Sequence, residues 1–400
     1  MERVPGVELA GYLGAAVGVG EAARRYVGAL RSSGVPVLER DVALAGRDAA
    51  LTDLRPGPRP AAEDVAFNLL CLNPEQMVPY MQGPDGPSSE GRVTVGLWSW
   101  EVDVVPQGWR EASESLREVW TYSRFAAELI GAELDVPVLG FAPPLADRLA
   151  EGAAPASWFP ELPAGLRVLI MFDYLSTLER KNPLGAIEAY SRAFQPGDGA
   201  VLIVKSINGR HRPGRQAEVA EAVRGREDIV LIDRTISGAE RDALIAACDC
   251  YLSLHRSEGH GMPLAEAMAL GKPVVATAYG GNIEFMNEAN SYLVAWTPTQ
   301  VGDGAEHYPT VASWAEPDLE QAVRLLRALH GDPEEARRRA RQGQADVQAL
   351  LAPEVVGAQM RDRLEQLSPA AAVGPGSRLA RRLARKSHRR SRQAASRRWD

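Results

Sequence analysis

The order of apolar and polar positions divides the chain into alternating strand-like and helix-like segments. Short apolar runs indicate buried strands, and amphipathic stretches with a period near 3.6 residues predict helices. In the first half, strands are predicted at 7–12, 35–42, 64–70, 93–98, 118–122 and 137–140, and helices at 21–32 and 124–131. In the second half, strands are predicted at 166–172, 200–206, 229–233, 250–255, 273–278 and 291–294, and helices at 182–194, 215–224, 239–248, 263–270, 316–329, 333–350 and 353–367.

Apolar strands that alternate with helices indicate parallel sheets covered on both faces, so the fold class is α/β. The alternation occurs twice, and a Pro-rich stretch at 143–165 between the two blocks is typical of an interdomain linker. We therefore predict two Rossmann-like domains facing a cleft. Their expected bounds are 1–155 and 156–350, followed by a closing helix at 351–367 and an unstructured tail at 368–400.

Composition and charge exclude several classes of protein. Hydrophobic residues make up 45% and charged residues 24% of the chain, which excludes a mainly disordered protein. Three cysteines do not form a disulfide framework or a zinc site, and no apolar run approaches the ~20 residues of a membrane span. With no signal peptide recognised at the N-terminus, we expect a cytoplasmic protein.

The charge of the chain is unevenly distributed. The total is −7, and residues 371–400 hold ten Lys/Arg against one acid, so this tail carries +9 and the remainder −16. Such an acidic body disfavours a nucleic-acid partner. For the tail, three readings stay open: a solvated segment, a peripheral anchor to an anionic membrane through residues 378–398, or nucleic-acid binding.

The clearest chemical signal lies at residues 257–277. A glycine-bearing loop follows a predicted strand, and Pro263 begins the next helix. Glu258 lies in the loop, and Glu266 lies about one turn into the helix between alanines. Ligands of open α/β folds bind at this edge of the sheet, so both carboxylates are candidate binding groups. The alternative is a solvated helix face.

Lysine is rare, since only four of the 45 basic residues are lysines. Lys181 precedes a predicted helix, and Lys205 ends the next predicted strand on the same sheet edge. A cation beside a helix N-terminus favours phosphate, so both are candidate phosphate ligands. Two ordinary surface cations are the alternative.

Two further segments lie at predicted strand ends of the first domain. A loop containing Gly18 and Gly20 precedes a helix, but the order of its glycines differs from the dinucleotide fingerprint G-x-G-x-x-G. Trp100 follows another strand and could stack on a sugar, and Glu101 could bind a hydroxyl. Close packing is the alternative for the glycines, and a core position is the alternative for the tryptophan.

Residues 257–277 resemble the signature of the family 4 retaining glycosyltransferases, also called glycosyl transferases group 1. The shared features are two glutamates separated by seven residues, an alanine-rich helix, Gly-x-Pro-Val and a strand. Residues 279–286, 290–294 and 314–317 resemble the family's downstream segments. The resemblance implies the GT-B fold, with C-terminal helices packing back. It also implies metal-independent transfer of a hexose from a nucleotide sugar to a glycan, lipid-linked glycan or small-molecule glycoside acceptor.

The resemblance also implies residue roles. The first glutamate would contact the donor sugar and the second the ribose, which here are Glu258 and Glu266. Lys181 matches the diphosphate-binding lysine, but Ser176 occupies the position of the family's arginine, so Lys205 or Arg256 is considered for the second cation. The loop at Gly18 and Gly20 would lie near the donor phosphates. The loop amides at Gly259, His260, Gly261 and Met262 would bind donor sugar hydroxyls.

No cofactor and no metal are expected beyond the donor substrate, with UDP- or GDP-linked sugars considered first. No D-x-D occurs in the chain. Two rival functions stay open. A retaining glycosidase holds its two carboxyls ~5 Å apart, whereas residues eight positions apart on a helix lie up to ~12 Å apart. The other rival is a degenerate transferase that acts as a binding or scaffold protein.

Overall fold

The computed structural model describes residues 5–44, 59–88, 90–146 and 165–367. The predicted domain boundary at 155–156, most of the Pro-rich stretch at 143–165, and the basic tail from 368 onward lie outside these residues. No helix within the described residues has both the length and the apolar character needed to cross a membrane.

The first half of the chain forms a six-stranded parallel sheet. Its elements are β1 (Gly6–Gly11), α1 (Gly18–Ser32), β2 (Val37–Asp41), a 3-10 turn (Ala62–Asp64), β3 (Val65–Cys71), α2 (Pro74–Gln82), β4 (Val93–Leu97), α3 (Trp109–Ser113), β5 (Glu118–Thr121), α4 (Arg124–Gly131) and β6 (Val138–Gly140). The strand order is β2-β1-β3-β4-β5-β6. It reverses between β1 and β3, and the loops leaving these two strands diverge to open a crevice.

The second half forms another six-stranded parallel sheet. Its elements are β7 (Leu166–Asp173), α5 (Leu178–Lys181), α6 (Pro183–Ala193), β8 (Ala200–Ile207), a 3-10 turn (Gly209–His211), α7 (Pro213–Ala222), β9 (Ile229–Asp233), α8 (Gly238–Ala247), β10 (Cys250–Ser253), α9 (Met262–Ala269), β11 (Val274–Thr277), a 3-10 turn (Gly281–Glu284) and β12 (Tyr292–Val294). The strand order is β12-β11-β10-β7-β8-β9, which reverses between β7 and β10. Both sheets confirm the predicted α/β class with two Rossmann-like domains.

Three helices end the described chain: α10 (Leu319–Gly331), α11 (Pro333–Leu351) and α12 (Pro353–Leu367). Helix α12 returns to the first domain, where Val356 and Met360 share an apolar core with residues of α1 and β1. A Cβ at Gly357 would lie 1.9 Å from the carbonyl oxygen of Ala29, so the two helices approach closely there. This confirms that the last helix packs back on the first domain, whereas α10 and α11 pack on the second.

An antiparallel hairpin was not predicted. Strands β13 (Trp296–Gln300) and β14 (Ser313–Pro317) pair with each other and with no strand of the two parallel sheets. β13 contains Pro298 and is largely exposed, so it has no apolar run to mark it as a strand. The helix predicted from residue 316 begins at Leu319 instead, with Asp318 as its N-cap.

Candidate active site

The main cleft lies at the carboxyl ends of both parallel sheets and measures about 450 Å³. The second domain contributes the loops after β7 and β10, which flank the point where its strand order reverses. The first domain contributes the loop before α1, the first turns of α1, and residues after β4. Open α/β sheets bind ligands at such reversal points. The cleft is therefore the candidate active site.

Glycine packing shapes the loop that contains Glu258. Gly261 adopts a φ of 90° as N-cap of α9, a conformation that favours glycine. A Cβ at Gly281 would lie 2.2 Å from the carbonyl oxygen of Gly259, and a Cβ at Gly280 would lie 2.5 Å from that of Glu258. The loop after β11 thus packs directly on the backbone of the Glu258 loop and holds its shape.

Glu258 binds two adjacent cations of α5. Its carboxylate pairs with the ammonium of Lys181 and accepts from Nη1 of Arg180 at 3.2 Å. Burial raises the pKa of Glu258, but the charges of Lys181 and Arg180 outweigh it and hold that pKa at about 2. Burial lowers the pKa of Lys181, and Glu258 opposes that effect only in part. The site holds an ionised carboxylate between two cations.

The turn that presents these cations has an uncommon backbone. Thr177, immediately before α5, has a φ of 61°, which costs a β-branched residue conformational energy. Asn182, immediately after α5, has a φ of 49°, accepts from the Gly185 amide and donates to the Leu254 carbonyl. The α5 turn is thereby tied to the loop after β10, which explains why Lys181 meets Glu258.

Lys205 is bonded to main-chain carbonyls rather than to Glu258. It lines the cleft, but its ammonium donates to the carbonyls of Ser206 at 2.7 Å and Arg234 at 2.6 Å. Burial lowers its pKa to about 8. Arg180, which the sequence interpretation missed, stands next to Lys181 and also pairs with Glu258. Its only signal in the sequence was its adjacency to Lys181.

Ser176 and Arg256 occupy different surroundings. Ser176 lines the cleft, where its hydroxyl donates to the Asp173 carbonyl at 2.9 Å. Arg256 is not among the residues that line the cleft. Its guanidinium donates two hydrogen bonds to the carboxylate of Glu316, at 2.6 and 3.0 Å, and another to the Glu179 carbonyl. We therefore withdraw Arg256 as a candidate phosphate ligand.

Glu266 is 1% exposed and meets arginines from both domains. Its Oε1 pairs with Arg25 of α1 and lies 2.9 Å from Nη2 of Arg241 of α8. Glu21 pairs with Arg25 at 3.0 Å, so two carboxylates share these arginines. The buried Oε2 of Glu266 has no hydrogen-bond partner within the part of the chain that the structure describes. Arg25, Arg241 and Glu21 were missed, because an ordinary helix surface would show the same charges.

Gly18 and Gly20, both in the first turn of α1, have different surroundings. Gly18 begins α1 and lines the cleft, and Val17 provides no side-chain cap to the first amides of the helix. The amides of a helix N-terminus without a side-chain cap can bind an anion. Gly20 does not line the cleft; a Cβ there would lie 2.3 Å from the Tyr12 carbonyl oxygen. Gly20 therefore serves close packing, the alternative stated above.

His260 lies in the Glu258 loop and is 4% exposed, and its Nε2 has no hydrogen-bond partner among the described residues. Burial lowers its pKa to about 3, so the ring is neutral at pH 7. Gly259, Gly261 and Met262 line the cleft with it. A neutral imidazole at this position can donate to or accept from a hydroxyl.

Trp100 and Glu101 are adjacent in the chain but have different surroundings in the structure. Trp100 is 6% exposed and packs on Trp109, with its indole N–H donating to the Val104 carbonyl at 3.1 Å. It does not line the cleft, so the sugar-stacking interpretation was wrong and the core alternative is correct. Glu101 does line the cleft, and its carbonyl accepts from the Ser257 hydroxyl at 2.5 Å.

No group of three His, Cys, Asp or Glu side chains arranged to hold a metal occurs within the described residues. His255, two residues after the end of β10, instead links β10 to the loop that follows β11. Its ring nitrogens bond to the Ser253 hydroxyl at 3.0 Å and to the Tyr279 carbonyl at 2.9 Å.

Comparison with known proteins identifies the architecture. Residues 174–308 match a family model described as Glycosyl transferases group 1. Among solved structures, HepE of Anabaena, determined in complex with UDP-glucose, superposes with a TM-score of 0.63 at 14% identity, covering 90% of this chain and 100% of HepE. The fold is GT-B. Sucrose-phosphate synthase of Thermosynechococcus elongatus gives a TM-score of 0.61 at 15% identity, covering 91% of this chain and 99% of its own.

TarM of S. aureus is a larger relative in fold, with a TM-score of 0.54 at 12% identity. The alignment covers 76% of this chain and 55% of the TarM chain. No curated protein sequence matches the chain. The family match is confined to residues 174–308, and the solved structures share the GT-B fold with this chain.

Proposed function

We propose that this chain is a retaining hexosyltransferase of the family 4 type. It moves a sugar from a nucleoside-diphosphate sugar to the hydroxyl of a glycan, lipid-linked glycan or small-molecule glycoside. The observation that carries the proposal is the cluster of Arg180, Lys181 and Glu258. It lies where the second sheet reverses its strand order, within the segment that matches the group 1 family model.

The cation cluster suits a leaving diphosphate. Cleavage of the bond between sugar and phosphate places negative charge on the diphosphate, and preorganised donors that meet such charge contribute ~3–4 kcal/mol each. Arg180 has five N–H donors and Lys181 has three, so each can bind a phosphate oxygen while still paired with Glu258. The first amides of α1 face the same cleft from the other domain. These groups support a metal-independent reaction.

The ribose of the donor is assigned to Glu266. Its Oε1 is occupied by Arg25 and Arg241, whereas its buried Oε2 meets no hydrogen-bond partner from the described residues. A buried acceptor without a donor is costly, and a ribose hydroxyl would relieve that cost. The sugar would then lie towards the loop at Gly259 and the neutral ring of His260.

Retention follows from the family resemblance. We propose the same-face route, in which a leaving phosphate oxygen accepts the proton of the acceptor hydroxyl, so no side chain is assigned as general base. Closure of the two domains would exclude water and align the acceptor.

Ligand binding and product analysis test the proposal. Thermal shift and calorimetry with UDP, GDP, ADP and dTDP should reveal one preferred nucleotide, since a ligand of the folded state raises Tm. The matching nucleotide sugar, incubated with glycoside acceptors, should give a product whose anomeric configuration matches the donor by NMR. Binding without turnover would favour the degenerate scaffold. Free sugar without any transfer product would favour a hydrolase.

We also propose peripheral association with an anionic membrane through residues 378–398, which lie outside the described residues. The support is their charge, since each basic residue near an anionic surface contributes ~1 kcal/mol. In co-sedimentation with anionic liposomes, the full chain should pellet with the liposomes at low salt and stay in the supernatant at high salt. A chain that ends at residue 368 should stay in the supernatant; equal behaviour of both would refute the anchor.

A further inference from the structure

The β13–β14 hairpin belongs to the second domain but packs into the first. Its loop residues Val301, Ala305 and Ala312 are buried in the same apolar cluster as Trp98 and Trp109. At the start of β14, the amide of Ser313 donates to Oδ1 of Asp103 at 2.7 Å. The hairpin thus extends from one domain to the residues that follow β4 in the other.

The hairpin loop places Tyr308 directly behind Glu101. The Tyr308 hydroxyl donates to Oε2 of Glu101 at 2.9 Å. The centroid of its ring lies 5.2 Å from that of Trp100 and 6.3 Å from that of Trp314, so tryptophans of both domains flank it. Burial raises the pKa of Tyr308 well above its ordinary value, so the phenol keeps the proton that it donates. Glu101 lines the cleft, whereas Tyr308 does not.

Glu101 lies beside the loop that would receive the donor sugar. A Cβ at Gly259 would lie 3.3 Å from Cγ and 3.5 Å from Oε1 of Glu101. The Ser257 hydroxyl binds the main-chain carbonyl of Glu101, which fixes the backbone next to Glu258. The carboxylate therefore comes from the first domain but stands against the sugar-binding face of the second.

We propose that Tyr308 is a positioning residue that holds Glu101 so that its carboxylate accepts a hydrogen bond from a hydroxyl of the transferred sugar. This inference rests on the proposed function. The physical reason is that Tyr308 competes with nearby cations for the carboxylate of Glu101. Arg180 and Lys181 are close enough to interact electrostatically with its carboxylate. A carboxylate released by Tyr308 would turn towards these cations, which the donor diphosphate needs.

The contribution of the sugar to binding provides the test. Calorimetry would compare UDP, GDP, ADP and dTDP with their glucose, mannose and N-acetylglucosamine conjugates, and the ratio Kd(nucleotide)/Kd(nucleotide sugar) measures the gain from the sugar. E101A should lower that ratio about tenfold, the order of one hydrogen bond to a charged group. Y308F, which keeps the ring packing, should lower it roughly fivefold, the range of one ordinary hydrogen bond. In Y308F, Kd should rise for the bare nucleotide as well, because the released carboxylate competes for the diphosphate-binding cations, but it should rise further for the nucleotide sugar.

A double variant separates positioning from general stability. If Tyr308 acts only through Glu101, E101A/Y308F should give the same ratio as E101A alone. D103A, which removes the acceptor of the Ser313 amide without touching Glu101, should keep the wild-type ratio. An unchanged ratio in Y308F, a further loss in the double variant, or an equal loss in D103A would overturn the inference while the proposed function stands. A wild-type protein that binds no nucleotide would overturn both.

Discussion

Replacing Glu258 by glutamine should remove about 3 kcal/mol of unfolding free energy at neutral pH, and this loss should shrink in acid. The folded protein holds the pKa of Glu258 at about 2, against an ordinary value of 4.5. Each pKa unit corresponds to about 1.4 kcal/mol, and the side chain is only 10% exposed, so solvent screening is small. Glutamine keeps the shape but leaves Lys181 and Arg180 facing a neutral group.

The sign of the pH dependence follows from the direction of the pKa. Because the folded state lowers the pKa, the stabilisation is complete above pH 4.5 and is lost as the pH falls towards 2. At pH 3.5 the difference between wild type and E258Q should be smaller by about 1.4 kcal/mol than at pH 6.5.

Urea unfolding of both proteins at pH 6.5 and pH 3.5 measures this difference, with the slope m checked for constancy. E288Q is the matched control, since Glu288 is exposed, and its unfolding free energy should stay within ~0.5 kcal/mol of wild type at both pH values. The reasoning is refuted if E258Q is as stable as wild type at pH 6.5, or if the difference is the same at both pH values.

Three further outcomes are expected. Glu266→Ala should weaken nucleotide binding by ~1–3 kcal/mol in calorimetry, as for loss of a charged hydrogen-bond partner; an unchanged Kd in a folded variant would contradict the ribose assignment. Lys181→Ala should lower kcat by about 10²-fold and lower Tm by less than E258Q does, because Glu258 keeps Arg180 as a second cation; wild-type kinetics would return this lysine to an ordinary surface role. Gly357→Ala should lower stability by ~1–3 kcal/mol, because its Cβ would meet α1 at 1.9 Å, whereas Gly28→Ala, with open space around it, should not destabilise the protein.

The hydrophobic pattern determined the two parallel sheets and the order of their elements, because apolar runs and 3.6-residue periods are local properties. It also determined that Lys181 and Glu258 share one sheet edge. Both follow parallel strands, and the carboxyl ends of parallel strands meet at one edge whatever the details of packing. The signature at 257–277 added the roles of the two glutamates by resemblance only.

Tertiary structure alone decided which charges meet across the cleft. Glu266 pairs with Arg25, 241 positions away, and Tyr308 reaches Glu101 across 207 positions. Such pairs depend on how two separately folded sheets face each other, which no local period encodes. The direction of the Arg256 side chain could not be predicted from the sequence either, because it points to Glu316 rather than into the cleft. The β13–β14 hairpin was missed because β13 is largely exposed and carries no apolar run, and the apolar residues of its loop are buried in a cluster that includes residues of the first domain.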